Sequence, residues 1–296
     1  MGPVLLDLTV ERMRESAVPR SYRYIDVRPI AGALGAEIHG VDIARPLGDD
    51  VVAEIRQAFL DYLVIFFSDQ QLTAQAQLAF AARFGEPMAY PQLKGLPECP
   101  LITPVIKREH ERVNFGGVWH SDTAYLERPP MASMLYAIEI PPYGGDTLFA
   151  NQYLAYESLS EGLRDVLSGL IGINASTKAD ASRTREERMR DEGAELKALV
   201  AEHPVVLTHP ETGRKALYVN VGHTTQFKGW TERESRSLLD HLFAHQVSPE
   251  FTCRFRWERR SLAFWDNRCT QHNPVNDYHG FKRVMHRVTL AGDIPR

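Results

Sequence analysis

The segment KRVMHRVTL, residues 282–290, places the tightest constraint on what this chain can fold into. Side chains of a β-strand alternate between its two faces. Arg283, Met285 and Arg287 therefore share one face, and Val284, His286 and Val288 share the other. Both faces carry apolar residues, as in a strand packed inside a closed sandwich. Two arginines on a buried face are costly unless each meets an anion. Either this face is solvated, or the interior holds groups that answer two cations.

Short strand patterns recur along the chain: YRYIDVRPI, GALGAEIHGVDI, LVIFF, LITPVI, FGGVWHSD, MASMLYAIEI, KALYVNV, FTCRFRW and SLAFWD. Helical spacing is found over 50–62, 73–83, 153–171 and 231–245. Thr73 is suited to cap the second of these, and Thr231 with Glu234 forms a capping box on the fourth. Leu159, Leu163, Val166, Leu167 and Leu170 fall on one stripe of the third. With no internal repeat and no shift in composition, this pattern predicts one mainly β domain over 21–296. Its form is a sandwich or barrel with peripheral helices, behind a loose extension over 1–20. Residues 176–202 are dense in charge with little apolar periodicity. They read either as a solvated surface helix or as a lid over a site.

Composition excludes several classes of function. The formal net charge of −4 over 296 residues argues against a general binder of nucleic acid or anionic membranes. Cys99, Cys253 and Cys269 show no C-x-x-C spacing, which fits a reducing, cytoplasmic setting and no structural zinc. The apolar run near Met1 is too short for a signal peptide, and Leu6 stands where a myristoylation motif wants Ser or Thr. No stretch approaches the roughly 18 apolar residues of a membrane span.

The eleven histidines need separate reasons. His241 and His245 have ligand spacing on a helix, but no Glu follows His241. His203 and His209 sit in Pro-containing turns. His120 and Asp122, in VWHSDT, are two apart, so on a strand they share a face. They form either two metal ligands or a hydrogen-bonded pair. His272 lies in the turn-like run WDNRCTQHNPVND. Two histidines and one carboxylate would make a facial ligand set that leaves three positions of an octahedral metal open, as in non-haem Fe(II) oxygenases. An arginine nearby could hold the far carboxylate of a co-substrate through its planar fork.

Taken together, WHSD (119–122), GGDTLF (144–149), WDNRCTQH (265–272) and RVMHR (283–287) closely resemble the taurine/2,4-D-type dioxygenases that depend on Fe(II) and 2-oxoglutarate. The resemblance runs from about Ile25 to the C-terminus. It implies a double-stranded β-helix, that is, a jelly-roll or cupin-like core. It implies Fe(II) on His120, Asp122 and His272, and 2-oxoglutarate on Thr147 and Arg283. Arg287 would face an anionic prime substrate. The reaction implied is hydroxylation of a substrate C–H by O2, with succinate and CO2 released. Relatives commonly assemble as homo-dimers or tetramers, so a homo-oligomer is expected.

The substrate-facing positions depart from the taurine pattern. Tyr90-Pro91-Gln92-Leu93 stands where taurine-type members resemble His-Pro-x-Tyr. His223 replaces an aromatic residue, and Gly116 replaces an asparagine upstream of His120. Arg287, Tyr90, His223 and Thr123 are the expected substrate contacts. Sulfonates, sulfate ester compounds, aryloxyalkanoates and other carboxylates are the candidate classes. Two rivals share the triad: a zinc hydrolase, and a catalytically degenerate small-molecule binding protein.

Overall fold

The computed structural model describes residues 21–91, 93–178 and 198–296. The extension expected over 1–20, and most of the charged segment 176–202, lie outside the described residues. The chain opens with β1 (Asp26–Pro29), β2 (Ala36–His39), helix α1 (Asp49–Tyr62) and β3 (Val64–Phe67). Helix α2 (Ala74–Ala81) leads into β4 (Pro87–Met88), β5 (Ile102–Lys107) and β6 (Ala132–Glu139). Then come β7 (Thr147–Asn151), α3 (Gln152–Glu157), α4 (Glu161–Ser168) and β8 (Ile171–Ala175). Four short strands follow: β9 (Val200–Pro204), β10 (Val206–Thr208), β11 (Lys215–Leu217) and β12 (Thr224–Phe227). Helix α5 (Glu232–His245) precedes β13 (Thr252–Phe255), β14 (Leu262–Asp266), β15 (Thr270–Pro274) and β16 (Arg283–Leu290).

An eight-stranded sheet runs β1-β2-β3-β14-β6-β16-β4, with β5 also paired to β16. A three-stranded sheet, β13-β7-β15, forms a second layer. The alternation along β14 shows how the layers stack. Leu262 and Phe264 join Phe59 of α1, Phe80 of α2 and Val288 in one apolar cluster. Ala263 and Trp265 join Phe149 of β7, Phe255 of β13 and Met285 in another. One face of the large sheet is thus covered by helices, and the other faces the small sheet. This is the jelly-roll that the family resemblance implies. Among the described residues, no helix is long and apolar enough to cross a membrane.

Strand β16 settles the question raised by its two arginines. Arg283, Met285 and Arg287 are all buried and face the interior between the sheets. Val288 and Leu290 pack under the helices instead, and the His286 carbonyl accepts a hydrogen bond from Gln77 of α2.

Several expectations are corrected. No strand forms over 115–122; Gly116 turns into positive φ (70°) and His120 makes only an isolated bridge. The predicted helix over 153–171 is two helices, because Ser160 caps α4 through the Leu163 amide and ends the first run. Val166, placed on the apolar stripe by the sequence, is exposed. His272 is not in a turn but on β15, whose backbone pairs with β7. Thr147 begins β7, a strand hidden in the sequence by its polar ends, Thr147 and Asn151. The caps at Thr73 and Thr231 form as predicted.

Phe264 is fully buried on β14, stacked on Phe59 at 4.2 Å and edge-on to Phe84 at 5.1 Å. Removing a buried phenylalanine ring costs about 3–5 kcal/mol. Phe264→Ala is expected to lower the unfolding free energy in urea by that amount; an unchanged midpoint would mean that the helix-covered face is not the load on this sheet.

Candidate active site

The centre of the site is built by a backbone bridge between a loop and a strand. The His120 amide donates to the His272 carbonyl (3.1 Å), and the His272 amide donates back to the His120 carbonyl (2.9 Å). This antiparallel exchange brings the two imidazoles to 4.2 Å between centroids. Asp122 follows on the same loop. Its Oδ1 lies 3.7 Å from His120 Nε2 and 4.0 Å from His272 Nε2. The three potential ligand atoms lie within 4.8 Å of one another, and all three residues are buried. The structure brings together the pair that the sequence spacing singles out, although a curled loop rather than a strand delivers it.

Protonation suits metal binding. The His120 Nδ1–H donates to the Val118 carbonyl at 2.7 Å, which fixes the ring with Nε2 turned toward Asp122. Burial, with His120 and Arg287 nearby, pushes His272 down to about 3 against the pull of Asp122, so its ring is neutral at ordinary pH. Burial alone would raise the Asp122 carboxyl. Arg287 overcomes this, together with the two histidines, and holds it well below the usual carboxylate range. A buried cluster of two imidazoles and one carboxylate is a donor set that fits a divalent transition metal.

Beside this triad, a pocket between the two sheets is lined by His120, His272, Thr147, Trp257, Arg283 and Arg287, among others. Arg283 meets the Tyr278 hydroxyl, and its Cζ stands 5.5 Å from the centre of the Trp257 ring. Its Nε and Nη2 are buried with no hydrogen-bond partner. Thr147 Oγ1 accepts the Trp257 indole N–H at 2.9 Å, so the threonine's own hydrogen is directed elsewhere. Two unpaired guanidinium N–H groups next to a free hydroxyl donor fit a carboxylate held by its fork.

Arg287 answers Asp122 with Nη1 at 3.4 Å from Oδ1, while its Nε and Nη2 also have no partner. Tyr90 covers the guanidinium face, with its ring centre 3.8 Å from Cζ. The stack leaves the in-plane edge of Arg287 as the place for an anion. His223 stands edge-on to His120 at 5.9 Å and to Tyr125 at 5.0 Å. Thr123 is buried beside Asp122 with φ at +45°, rare for a β-branched residue, and its hydroxyl has no partner. Gly116 also has a structural explanation: a Cβ there would fall 2.9 Å from His120 Cε1. An asparagine at this position would collide with the His120 ring unless the loop moved.

Sequence reasoning passed over Trp257, Tyr278 and Ser133. Trp257 and Tyr278 orient Thr147 and Arg283, and the Ser133 hydroxyl donates to Asp122 Oδ2. The available signal for Ser133 was a small polar residue in the largely apolar run MASMLYAIEI. A second buried group, His209, Asp266 and Cys269, has a different character. His209 Nδ1 accepts the amides of Glu211 and Thr212, its Nε2–H donates to Asp266 at 3.0 Å, and Arg268 grips both Asp266 oxygens. These bonds use the lone pairs that a metal would need. The group latches the turn from β14 to β15, the strand that carries His272.

Comparison with known proteins agrees with this geometry. Residues 26–289 match the model of the family described as "Taurine catabolism dioxygenase TauD, TfdA family". The chain is 37% identical, over 92% of its length and 91% of the relative's, to an alpha-ketoglutarate-dependent sulfate ester dioxygenase of Pseudomonas putida. It is 34% identical to an alkylsulfatase of Acinetobacter baylyi, over 91% of this chain and 86% of that one. A crystal structure of a putative alpha-ketoglutarate-dependent taurine dioxygenase from Burkholderia xenovorans superposes with a TM-score of 0.79 at 40% identity, covering 92% of this chain and 94% of that one. The chain belongs to the TauD/TfdA family of dioxygenases.

Proposed function

We propose that this 2-oxoglutarate-dependent dioxygenase hydroxylates a C–H bond of a small organic sulfate ester, using Fe(II) held by His120, Asp122 and His272. The observation that carries this reading is the pair of buried arginines, each with Nε and Nη2 unpaired, on the strand that passes the triad. One fork serves the co-substrate and the other the prime substrate. The catalytic unit is the chain from 21 to 296.

Fe(II), O2 and 2-oxoglutarate together supply an oxidant able to attack an unactivated C–H, with succinate and CO2 as co-products. The chain's own residues bind, orient and exclude water. Arg283 receives the far carboxylate of 2-oxoglutarate, and Thr147 donates its hydroxyl hydrogen to the same group. Arg287 takes the substrate anion through its open edge. Tyr90 holds that guanidinium flat by stacking on it, and His223 and Thr123 shape the adjoining wall. Hydroxylation at the carbon bearing a sulfate gives a product that collapses to an aldehyde and inorganic sulfate. Sulfate esters rank above sulfonates and carboxylates because the relatives named a sulfate ester dioxygenase and an alkylsulfatase are 37% and 34% identical to this chain, against 28% and 31% for relatives named for a sulfonate and for 2,4-dichlorophenoxyacetate.

The two arginines separate in kinetics. Losing a charge-assisted hydrogen-bonded partner costs about 1.5–3 kcal/mol, or roughly 10–150-fold. At saturating Fe(II), Arg283→Ala is expected to raise the KM for 2-oxoglutarate by about that factor and to leave the KM for an alkyl sulfate nearly unchanged. Arg287→Ala is expected to do the reverse. Steady-state succinate release checks both; if the two variants shifted the same KM, the division of labour would be wrong.

Tyr90→Ala removes the stacked ring but no charge. A cation–π contact of this kind is worth about 0.5–2 kcal/mol. The variant is expected to raise the alkyl sulfate KM by roughly 2–30-fold, with the 2-oxoglutarate KM unaffected. An unchanged alkyl sulfate KM would remove Tyr90 from the substrate wall.

A further inference from the structure

We infer that Ser133 is a positioning residue that makes Asp122 a one-oxygen ligand, and that a polarised relay from Trp265 through Asn267 fixes the direction of its hydrogen bond. The inference rests on the reading of His120, Asp122 and His272 as the metal triad.

The direction of each bond follows from what each group can do. An indole N–H only donates. Trp265 Nε1 donates to Asn267 Oδ1 at 2.9 Å, so this oxygen is the acceptor end of the amide. The Asp122 backbone amide approaches the same oxygen at 3.5 Å. Asn267 Nδ2 must then be the donor toward Ser133 Oγ, at 3.1 Å. Having accepted that bond, the Ser133 hydroxyl directs its one hydrogen at Asp122 Oδ2, at 2.6 Å. The relay ends on a carboxylate oxygen and has no member that can turn round. Trp265, Asn267, Ser133 and Asp122 are all buried, and Trp265 and Ser133 are direct cross-strand partners on β14 and β6. Cross-strand pairing fixes their separation to that of the sheet itself.

The two oxygens of Asp122 therefore have separate duties. Oδ2 is tied to Ser133, and Oδ1 is the oxygen near the Nε2 atoms of His120 and His272. A carboxylate that offered both oxygens would take up a coordination position beyond the facial set of three. Ser133 holds Asp122 to its single position. Short hydrogen bonds from a hydroxyl to a carboxylate are among the strong ones, and partners that orient metal ligands typically change metal affinity by about 10–100-fold when removed.

The test is equilibrium binding of Co(II) to the whole apo-protein under anaerobic conditions, followed by visible absorption and calorimetry, with no turnover required. Ser133→Ala is expected to weaken Co(II) binding by about 10–100-fold and to alter the visible spectrum of the bound ion. Ser133→Thr keeps the hydroxyl and is expected to restore affinity and spectrum toward those of the parent. Circular dichroism and the urea midpoint of each variant report on folding separately. Asp122→Ala is the control for the underlying reading and should abolish binding at this site. Undiminished binding in Asp122→Ala would overturn the triad itself. Loss of binding in Asp122→Ala, with Ser133→Ala unchanged or tighter, would overturn the role of Ser133 alone. A Ser133→Thr variant as weak as Ser133→Ala in a folded protein would also overturn it, since the hydroxyl would then not be the active feature.

Discussion

Burying two guanidinium groups between two β-sheets is the constraint on which the rest of this structure depends. A cation taken out of water is tolerated only where oriented partners replace the lost hydration. Arg287 has Asp122 beside it and Tyr90 across its face. Arg283 has the Tyr278 hydroxyl, with Trp257 beside it and the more distant charge of Asp146. Neither set saturates the guanidinium, and both leave Nε and Nη2 free. The interior is thus prepared for two anions, which is what an oxo acid and an anionic substrate would provide. The negative charge of Asp122 does double service, as partner to Arg287 and as the sole anionic member of the triad.

The scaffold places these groups by simple means. Alternation along β16 sends Arg283 and Arg287 inward and Val288 under the helices. One pair of backbone hydrogen bonds joins the loop that carries His120 to the strand that carries His272. The large sheet provides Arg283, Arg287 and Ser133, while the small sheet provides Thr147 and His272. The site therefore exists only where the two sheets close on each other. That makes the packing of Phe149, Trp265 and Met285 between them part of the functional geometry.

Much of this was legible in the sequence, for reasons that differ from residue to residue. Strand β16 could be read because its two faces differ in chemistry and the period of two separates them. His120 and Asp122 could be found as a pair, but the strand invoked to explain them does not form; Gly116 and the bridge to His272 do the work. His272 read as a turn residue because Asn273 and Pro274 follow it, while its strand is made by pairing with β7, a long-range contact that leaves no local mark. The break between α3 and α4 was masked by a continuous apolar stripe that Ser160 interrupts through its cap. Ser133, Trp257 and Tyr278 carry no distinctive spacing. Their importance arises from hydrogen bonds to residues far away in the chain.

The central claim is that one buried centre couples 2-oxoglutarate decarboxylation to oxidation of an anionic substrate. The most direct measurement is the stoichiometry of succinate and inorganic sulfate released from 2-oxoglutarate and a medium-chain alkyl sulfate. It is made with Fe(II) and O2, and again with Zn(II) and no 2-oxoglutarate. The account predicts equimolar succinate and sulfate only when Fe(II), O2 and 2-oxoglutarate are all present. Sulfate release with Zn(II) in the absence of 2-oxoglutarate would contradict it, and would make the triad the centre of a hydrolase.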